Sequence, residues 1–214
     1  ICSEERREQI KESKPQKVIV VHNSPQIEFL IQNDEKYDYV YCGLLGEKRL
    51  INEIISLYGQ NSNLKMAFAG SGYGLFKQQI QEITKKYDNF DFYGSLRYKE
   101  VLELESKSRC LSAIYEPVIR NHRLCAPNKF YEAMALGKPI IVCRGTGIDR
   151  IVDENKIGLV INYSGEEFFK ALEYLKSNKE ICEEMGSRSR QLYEKSYKWS
   201  IMEARLINAY KELI

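Results

Sequence analysis

The sequence predicts an α/β fold, a Rossmann-like parallel sheet with helices on both faces. Three observations carry this. Short apolar runs that do not alternate with polar residues recur along the chain, as strands buried on both faces require: Tyr39-Val40-Tyr41-Cys42, Lys65-Met66-Ala67-Phe68-Ala69, Cys110-Leu111-Ser112-Ala113-Ile114-Tyr115 and Pro139-Ile140-Ile141-Val142-Cys143. Amphipathic stretches of helical period lie between them. Most of the early runs end at glycine (Gly43, Gly70, Gly94), which suits tight strand-to-helix turns.

The elements follow in order. Ser3 can cap a first helix with Glu4 and Glu5 in its first turn, ending near Lys14-Pro15. Lys17 to Val21 reads as a short strand stopped by Asn23-Ser24-Pro25, and the polar stretch from Asn23 to Tyr37 reads as a hinge. After the strand at Tyr39, Glu47 to Tyr58 is helical, with Leu50, Ile51, Ile54, Ile55 and Tyr58 on one side. The strand at Lys65 ends at Gly70-Ser71-Gly72 and is followed by an amphipathic helix from Leu75 to Tyr87. Phe90 to Tyr93 is a strand and Tyr98 to Lys107 a helix. A long polar loop after Tyr115 leads to a helix from Asn128 to Leu136, stopped by Gly137 and Pro139. Gly158 to Ile161 is the last strand. Glu166–Lys176, Lys179–Tyr197 and Trp199–Leu213 form a helical tail.

A length of 214 residues suits one well-cored domain with at most a short extension. A net charge of +2 gives no field that would draw nucleic acid. The six cysteines include no C-x-x-C pair and there are only two histidines, which argues against a zinc site. Cysteines within apolar runs read as small hydrophobes in a reducing, cytoplasmic setting. No apolar run approaches a bilayer span and no signal peptide opens the chain. The chain begins Ile1-Cys2-Ser3 without a methionine, so it reads as the middle of a longer protein.

Ligands of such sheets bind at the carboxyl ends of the strands. The glycines there (Gly43, Gly46, Gly70, Gly72, Gly94) let a phosphate approach backbone amides, or simply make tight turns. Lys48 and Arg49 follow Gly46 and can neutralise a phosphate. Pro127-Asn128 opens a helix whose free N–H groups suit a pyrophosphate. Asn128 and Lys129 share faces with Glu132, whose two oxygens can accept from vicinal hydroxyls of a ribose. The plainer reading of the same residues is an Asn cap and a solvated Lys–Glu surface pair.

These motifs resemble glycosyltransferase family 4, the retaining transferases of the GT-B fold. The resemblance rests on Glu116-Pro117, the run Pro127 to Ile141 (Pro-Asn-Lys-Phe-Tyr-Glu-Ala-Met-Ala-Leu-Gly-Lys-Pro-Ile-Ile), Ala69-Gly70-Ser71-Gly72, Phe92-Tyr93-Gly94 and Gly158-Leu159-Val160, in the order of that family's carboxy-terminal domain. It implies that residues 1–36 end an amino-terminal domain and form the linker. Residues 37–196 would bind the donor, and 197–214 would cross back. It implies a nucleoside diphosphate sugar as donor, transfer with retention to a glycan or lipid-linked acceptor, and no metal or other cofactor. Glu132 would hold the ribose hydroxyls and Glu116 would lie by the donor sugar. Amides near Asn128, Lys129 and Phe130 would meet the pyrophosphate, and Tyr93, Gly94, Ser95 and Leu96 would lie along the base. The Gly43 loop would face the phosphates, with Lys48 matching the family's phosphate lysine. Catalytic roles fall to Glu116 and Lys48.

Three departures stand out. The family spaces its acidic pair as E-x7-E, whereas Val118 to Ala126 is inserted here. Leu44 stands where an arginine is usual, so a phosphate contact falls to Arg49, Arg120 or Arg123. The amino-terminal domain, which would supply the acceptor site, a membrane contact and a catalytic histidine, is absent; His22 and His122 read as packing or solvated residues. A nucleotide-sugar 2-epimerase of GT-B architecture and a non-catalytic nucleotide-sugar binder are the alternative readings.

Overall fold

The computed structural model describes residues 1–27, 34–72 and 75–212. The amino-terminal segment is a 3-10 turn at Glu4–Arg6, helix α1 at Arg7–Ile10 and a second 3-10 turn at Lys11–Ser13. Ser3 does not cap it; its hydroxyl is buried without a hydrogen-bond partner. The expected strand at Lys17 to Val21 does not form. Among the described residues its only backbone partner is Ile1, donating to Ile19 and accepting from Val21, and a single residue cannot build a ladder.

Six parallel strands make one sheet: β1 Tyr37–Cys42, β2 Met66–Ala69, β3 Phe90–Phe92, β4 Ser108–Ala113, β5 Ile140–Cys143 and β6 Gly158–Ile161. Their spatial order is β3-β2-β1-β4-β5-β6. The helices are α2 Ile51–Leu57, α3 Leu75–Lys86, α4 Tyr98–Ser106, α5 Arg120–Arg123, α6 Asn128–Ala135, α7 Ile148–Asn155, α8 Gly165–Ser177, α9 Lys179–Leu192 and α10 Trp199–Lys211. A π-helical turn at Tyr193–Tyr197 joins the last two.

Both sheet faces are buried, which is why the strands do not alternate. Tyr39, Tyr41, Met66, Phe68 and Ile141 pack under α2, α3 and α8 beside Ile54, Ile80 and Phe168. Val40, Cys42, Ala67, Ala69 and Val142 pack under α4, α6 and α7 beside Leu102, Phe130 and Val152. The six cysteines are free thiols, and all but Cys2 are buried.

Several boundaries differ from expectation. The helix expected from Glu47 starts at Ile51, because Lys48 and Leu50 adopt positive φ of 68° and 55°. The short helices α5 and α7 are additions to the expected order. Helix α7 supplies the crossover between β5 and β6, and its Ile148, Ile151 and Val152 show helical spacing between Gly147 and Gly158. The expected hinge at 23–37 and the end of the last helix at Leu213 run partly outside the described residues.

The order of strands places the site. From β1 the chain moves to β2 and β3 on one side, then returns to β4 on the other. The crevice at the carboxyl ends of β1 and β4 is therefore the switch point, where ligands of such sheets bind.

Candidate active site at the switch point

The three glycine loops are laced together at this edge. Gly43 N–H donates to the Ala69 carbonyl, Gly70 N–H to Gly94 and Leu45 N–H to Ser71. Gly70 sits at φ 145° with its α-carbon against the Gly43 carbonyl, so a side chain there would overlap that oxygen. Gly72 packs closely on Leu45, where a side chain would come within 2.7 Å of the Leu45 β-carbon. At Gly43 a side chain would meet Lys129 Nζ at 2.6 Å, so the lysine lies directly over the bare backbone of this loop. Gly94 is open, with nothing near its α-carbon on the side-chain side. Glycine thus serves close backbone packing at Gly70 and Gly72, and access at Gly43 and Gly94.

Cations gather beside these loops. Lys129 Nζ stands 5.1 Å from the centroid of the Tyr41 ring, and the Arg49 guanidinium 5.5 Å from that of Tyr115. Both line a small cavity of about 90 Å³ with Tyr41, Leu44, Ser112, Ile114 and Tyr115. A larger cavity of about 550 Å³ lies elsewhere, among Arg109, Lys138, Pro139, Lys179 and Arg190, at the opposite ends of β4 and β5. Volume does not decide between them. The small cavity lies where the topology opens a binding crevice, and its two cations are built into it.

Lys48 and Glu116 meet at the same edge. The Lys48 ammonium lies 3.0 Å from the Glu116 carboxylate, and the Glu116 amide donates to the Lys48 carbonyl at 3.2 Å. The Glu116 contact holds Lys48 above its ordinary pKa. The insert after Glu116 folds as α5 and turns back on it, with His122 Nδ1 2.9 Å from the Glu116 carbonyl. Arg123 donates to the Pro117 carbonyl at 2.7 Å, so of the arginines expected to replace the one missing at Leu44, Arg49 is the one lining the cavity.

Helix α6 carries the remaining residues. Pro127 precedes it, no side chain caps it, and Asn128 is its exposed first residue. The Phe130 amide donates to the Pro127 carbonyl at 3.0 Å and its ring is fully buried. Glu132 is not half of a solvated surface pair. It is 4% exposed, and burial pushes its pKa up, opposed by the nearby Lys129 and by a hydrogen bond from the Tyr98 hydroxyl. Tyr98 and Glu105, both on α4, were not among the expected site residues. Glu105 is fully buried and interacts with Glu132. Tyr93 hydrogen-bonds the Tyr37 hydroxyl at 2.6 Å, with Ser95 exposed and Leu96 half-buried beyond Gly94. His22 packs as expected, 2.9 Å from the Tyr131 hydroxyl and 4.8 Å from the Tyr197 ring. Among the described residues no group of three or more His, Cys, Asp or Glu could hold a metal ion, and no helix is long and apolar enough to cross a membrane.

Comparison with known proteins agrees with this architecture. Spore coat protein SA of Bacillus subtilis (strain 168) is 24% identical over 179 residues, 78% of this chain and 45% of that protein. A mutant of S. aureus TarM, solved with fondaparinux, α-GlcNAc-glycerol and UDP, superposes with a TM-score of 0.71 at 15% identity, over 97% of this chain and 42% of TarM. WaaG, a glycosyltransferase involved in lipopolysaccharide biosynthesis, gives 0.59 at 15% identity, over 97% of this chain and 51% of WaaG. The chain thus spans about half the length of these relatives, and the structural likenesses establish the fold, the α/β Rossmann-like fold of GT-B glycosyltransferases. Residues 22–192 match the family model of the glycosyl transferases group 1, and the chain belongs to that family.

Proposed function

We propose that the chain is the donor-binding, carboxy-terminal domain of a retaining GT-B glycosyltransferase of family 4. It binds a nucleoside diphosphate sugar, whose sugar passes to an acceptor hydroxyl of a glycan or lipid-linked glycan. One observation carries the reading: at the switch point, Arg49 and Lys129 flank one cavity while buried Glu132 lies one turn beyond Lys129 on the helix that Asn128 opens. Two cations suited to a diphosphate and a carboxylate suited to a ribose diol support this reading.

The catalytic demand is to position the donor and to stabilise the departing diphosphate. Lys129, Arg49, Lys48 and the first amides of α6 take the developing phosphate charge, and no metal is needed for it. Glu116, held by Lys48, lies on the side of the donor sugar. Tyr93, Gly94, Ser95 and Leu96 lie along the base. UDP in the TarM complex supports a nucleotide ligand for this fold. The acceptor site and any membrane contact belong to an amino-terminal domain, with residues 1–36 as its end and linker and 197–214 packing back toward it.

Lys129→Met tests the phosphate role. It is expected to weaken binding of a nucleoside diphosphate by roughly tenfold or more, the scale of one charge-assisted contact, and to leave the much weaker binding of the bare nucleoside unchanged. Calorimetric titration with both ligands reads the difference. Equal loss for both would remove the phosphate from this lysine. In the full-length protein, sugar transfer to an acceptor supports the reading, whereas formation of the donor's 2-epimer without acceptor would assign the site to an isomerase.

A further inference from the structure

Glu105 is the penultimate residue of α4, is 1% exposed, and has no part in the donor site as described. Among the described residues, its Oε2 has no hydrogen-bond partner. A buried, orphaned carboxyl oxygen is costly and calls for a physical account.

The titratable groups around it are few. On α6, Glu132 and Lys129 act on it through the Coulomb field. The charge of Glu105 is felt by the Cys42 thiol on β1 and by Tyr98 on its own helix. On β4, the other strand packed on α4, Arg109 and Cys110 interact instead with Glu35, Asp38 and Cys182. Two carboxyls therefore share one apolar layer with a single lysine.

Their situations are unequal. Glu132 lies just past the first turn of α6, near its positive end, beside Lys129 and with the Tyr98 hydroxyl donating to it. Glu105 lies at the carbonyl end of α4, where the helix dipole opposes negative charge, and its outer oxygen has no donor. Ionising both would place two like charges in a low-dielectric layer, so one keeps its proton.

We propose that Glu105 is a neutral carboxylic acid at neutral pH and acts as a positioning residue for Glu132, leaving Glu132 the ionised member of the pair and the acceptor for the nucleotide's vicinal hydroxyls. The positioning role rests on the donor-site reading; the protonation of Glu105 does not. Burial, then the charge of Glu132, pushes Glu105 well above the ordinary carboxyl range. Glu132 is raised by burial too, but Lys129 and Tyr98 pull it back, so it loses its proton first. An acid kept neutral by an apolar site is an established device for ordering charge in a pocket. Raising the pH until Glu105 ionises sets two carboxylates against each other and against the incoming diphosphate.

Infrared spectroscopy of the whole chain tests the proton directly. The carbonyl stretch of a protonated carboxyl is expected at neutral pH in wild type and in Glu132→Gln, and is expected to be lost in Glu105→Gln. Calorimetric titration with UDP, GDP and ADP tests the role. Wild-type affinity for the nucleotide that binds is expected to fall about tenfold between neutral and alkaline pH, as for one pKa unit of coupling, in step with loss of the infrared band. Glu105→Gln, neutral and of the same shape, is expected to keep the neutral-pH affinity within about twofold, since it removes no charge at that pH, and to abolish the alkaline fall. A wild-type spectrum without the band, or a band that survives Glu105→Gln, overturns the protonation whatever binds. An alkaline fall that persists in Glu105→Gln overturns the positioning role. Failure of wild type to bind any of the three overturns the donor reading and the positioning role with it, while leaving the infrared result intact.

Discussion

Glu132→Ala is expected to cost nucleoside diphosphate affinity roughly two to four orders of magnitude, and to abolish sugar transfer in the full-length protein. The magnitude follows from two hydrogen bonds to a charged acceptor, each about 1.5–3 kcal/mol. The opposite sign is expected for stability when charge alone is removed. Glu132 and Glu105 both bind protons more tightly folded than unfolded, so their own contribution to stability is fullest below the ordinary carboxyl range and is lost as pH rises through their raised values. Glu132→Gln should therefore melt at or above the wild-type temperature at neutral pH while binding poorly. Thermal melts across pH, run beside calorimetric titrations, separate the two effects. A variant that loses stability and affinity together would make Glu132 a packing residue.

Gly70→Ala carries the largest expected effect on folding, about 3–5 kcal/mol. Two costs add: an L-residue held in the left-handed half of φ space, and an overlap with backbone that cannot rotate away. The overlapped atom is the Gly43 carbonyl, so relief would push apart the β1 and β2 loops, the first of which lies under Lys129. Urea unfolding should show the midpoint falling with little change in slope. Gly94→Ala makes the control. Its φ of 63° costs about 1 kcal/mol for an L-residue, but its surroundings are empty and no overlap is added. If both variants lost the same stability, the close approach of the two loops would not be what requires glycine.

Much of this architecture is legible in the sequence, for a definite reason. Strands buried on both faces must be apolar throughout, so Tyr39 to Cys42 and Ile140 to Cys143 stand out without any partner being known. The amino-terminal segment is less legible because Lys17 to Val21 has the same composition as a core strand. Only tertiary pairing decides between them, and among the described residues that stretch finds one backbone partner, Ile1. The first turn of α2 fails for a local reason: left-handed Lys48 and Leu50 break a helical pattern that the apolar spacing supports.

The candidate site divides similarly. The Pro127 to Met134 segment identifies α6, but its spacing allows both a surface ion pair and a buried clamp. The structure decides by burying Glu132 along with Phe130, Tyr131 and every residue from Ala133 to Leu136. Arg49 was one of three arginines that could answer for Leu44, and only the turn before α2 sets it over Tyr115. Glu105 is the instructive omission. Among Glu100, Glu103 and Glu105 it reads as one of several solvated acids. Yet it lies four residues after Val101 and three after Leu102, on the apolar stripe of α4. A carboxylate on that stripe was a visible signal that something beyond packing occupies this layer.

The central claim is that a nucleoside diphosphate binds at the switch point between β1 and β4, with Glu132 as its ribose anchor. Thermal-shift titration of this chain with UDP, GDP and ADP tests it most directly. At a hundred times its dissociation constant, at least one of them should stabilise wild type by about 2.7 kcal/mol, and Glu132→Ala should gain no more than about 0.4 kcal/mol at the same concentration. A wild-type chain unmoved by all three, or a Glu132→Ala variant stabilised as much as wild type, would contradict it.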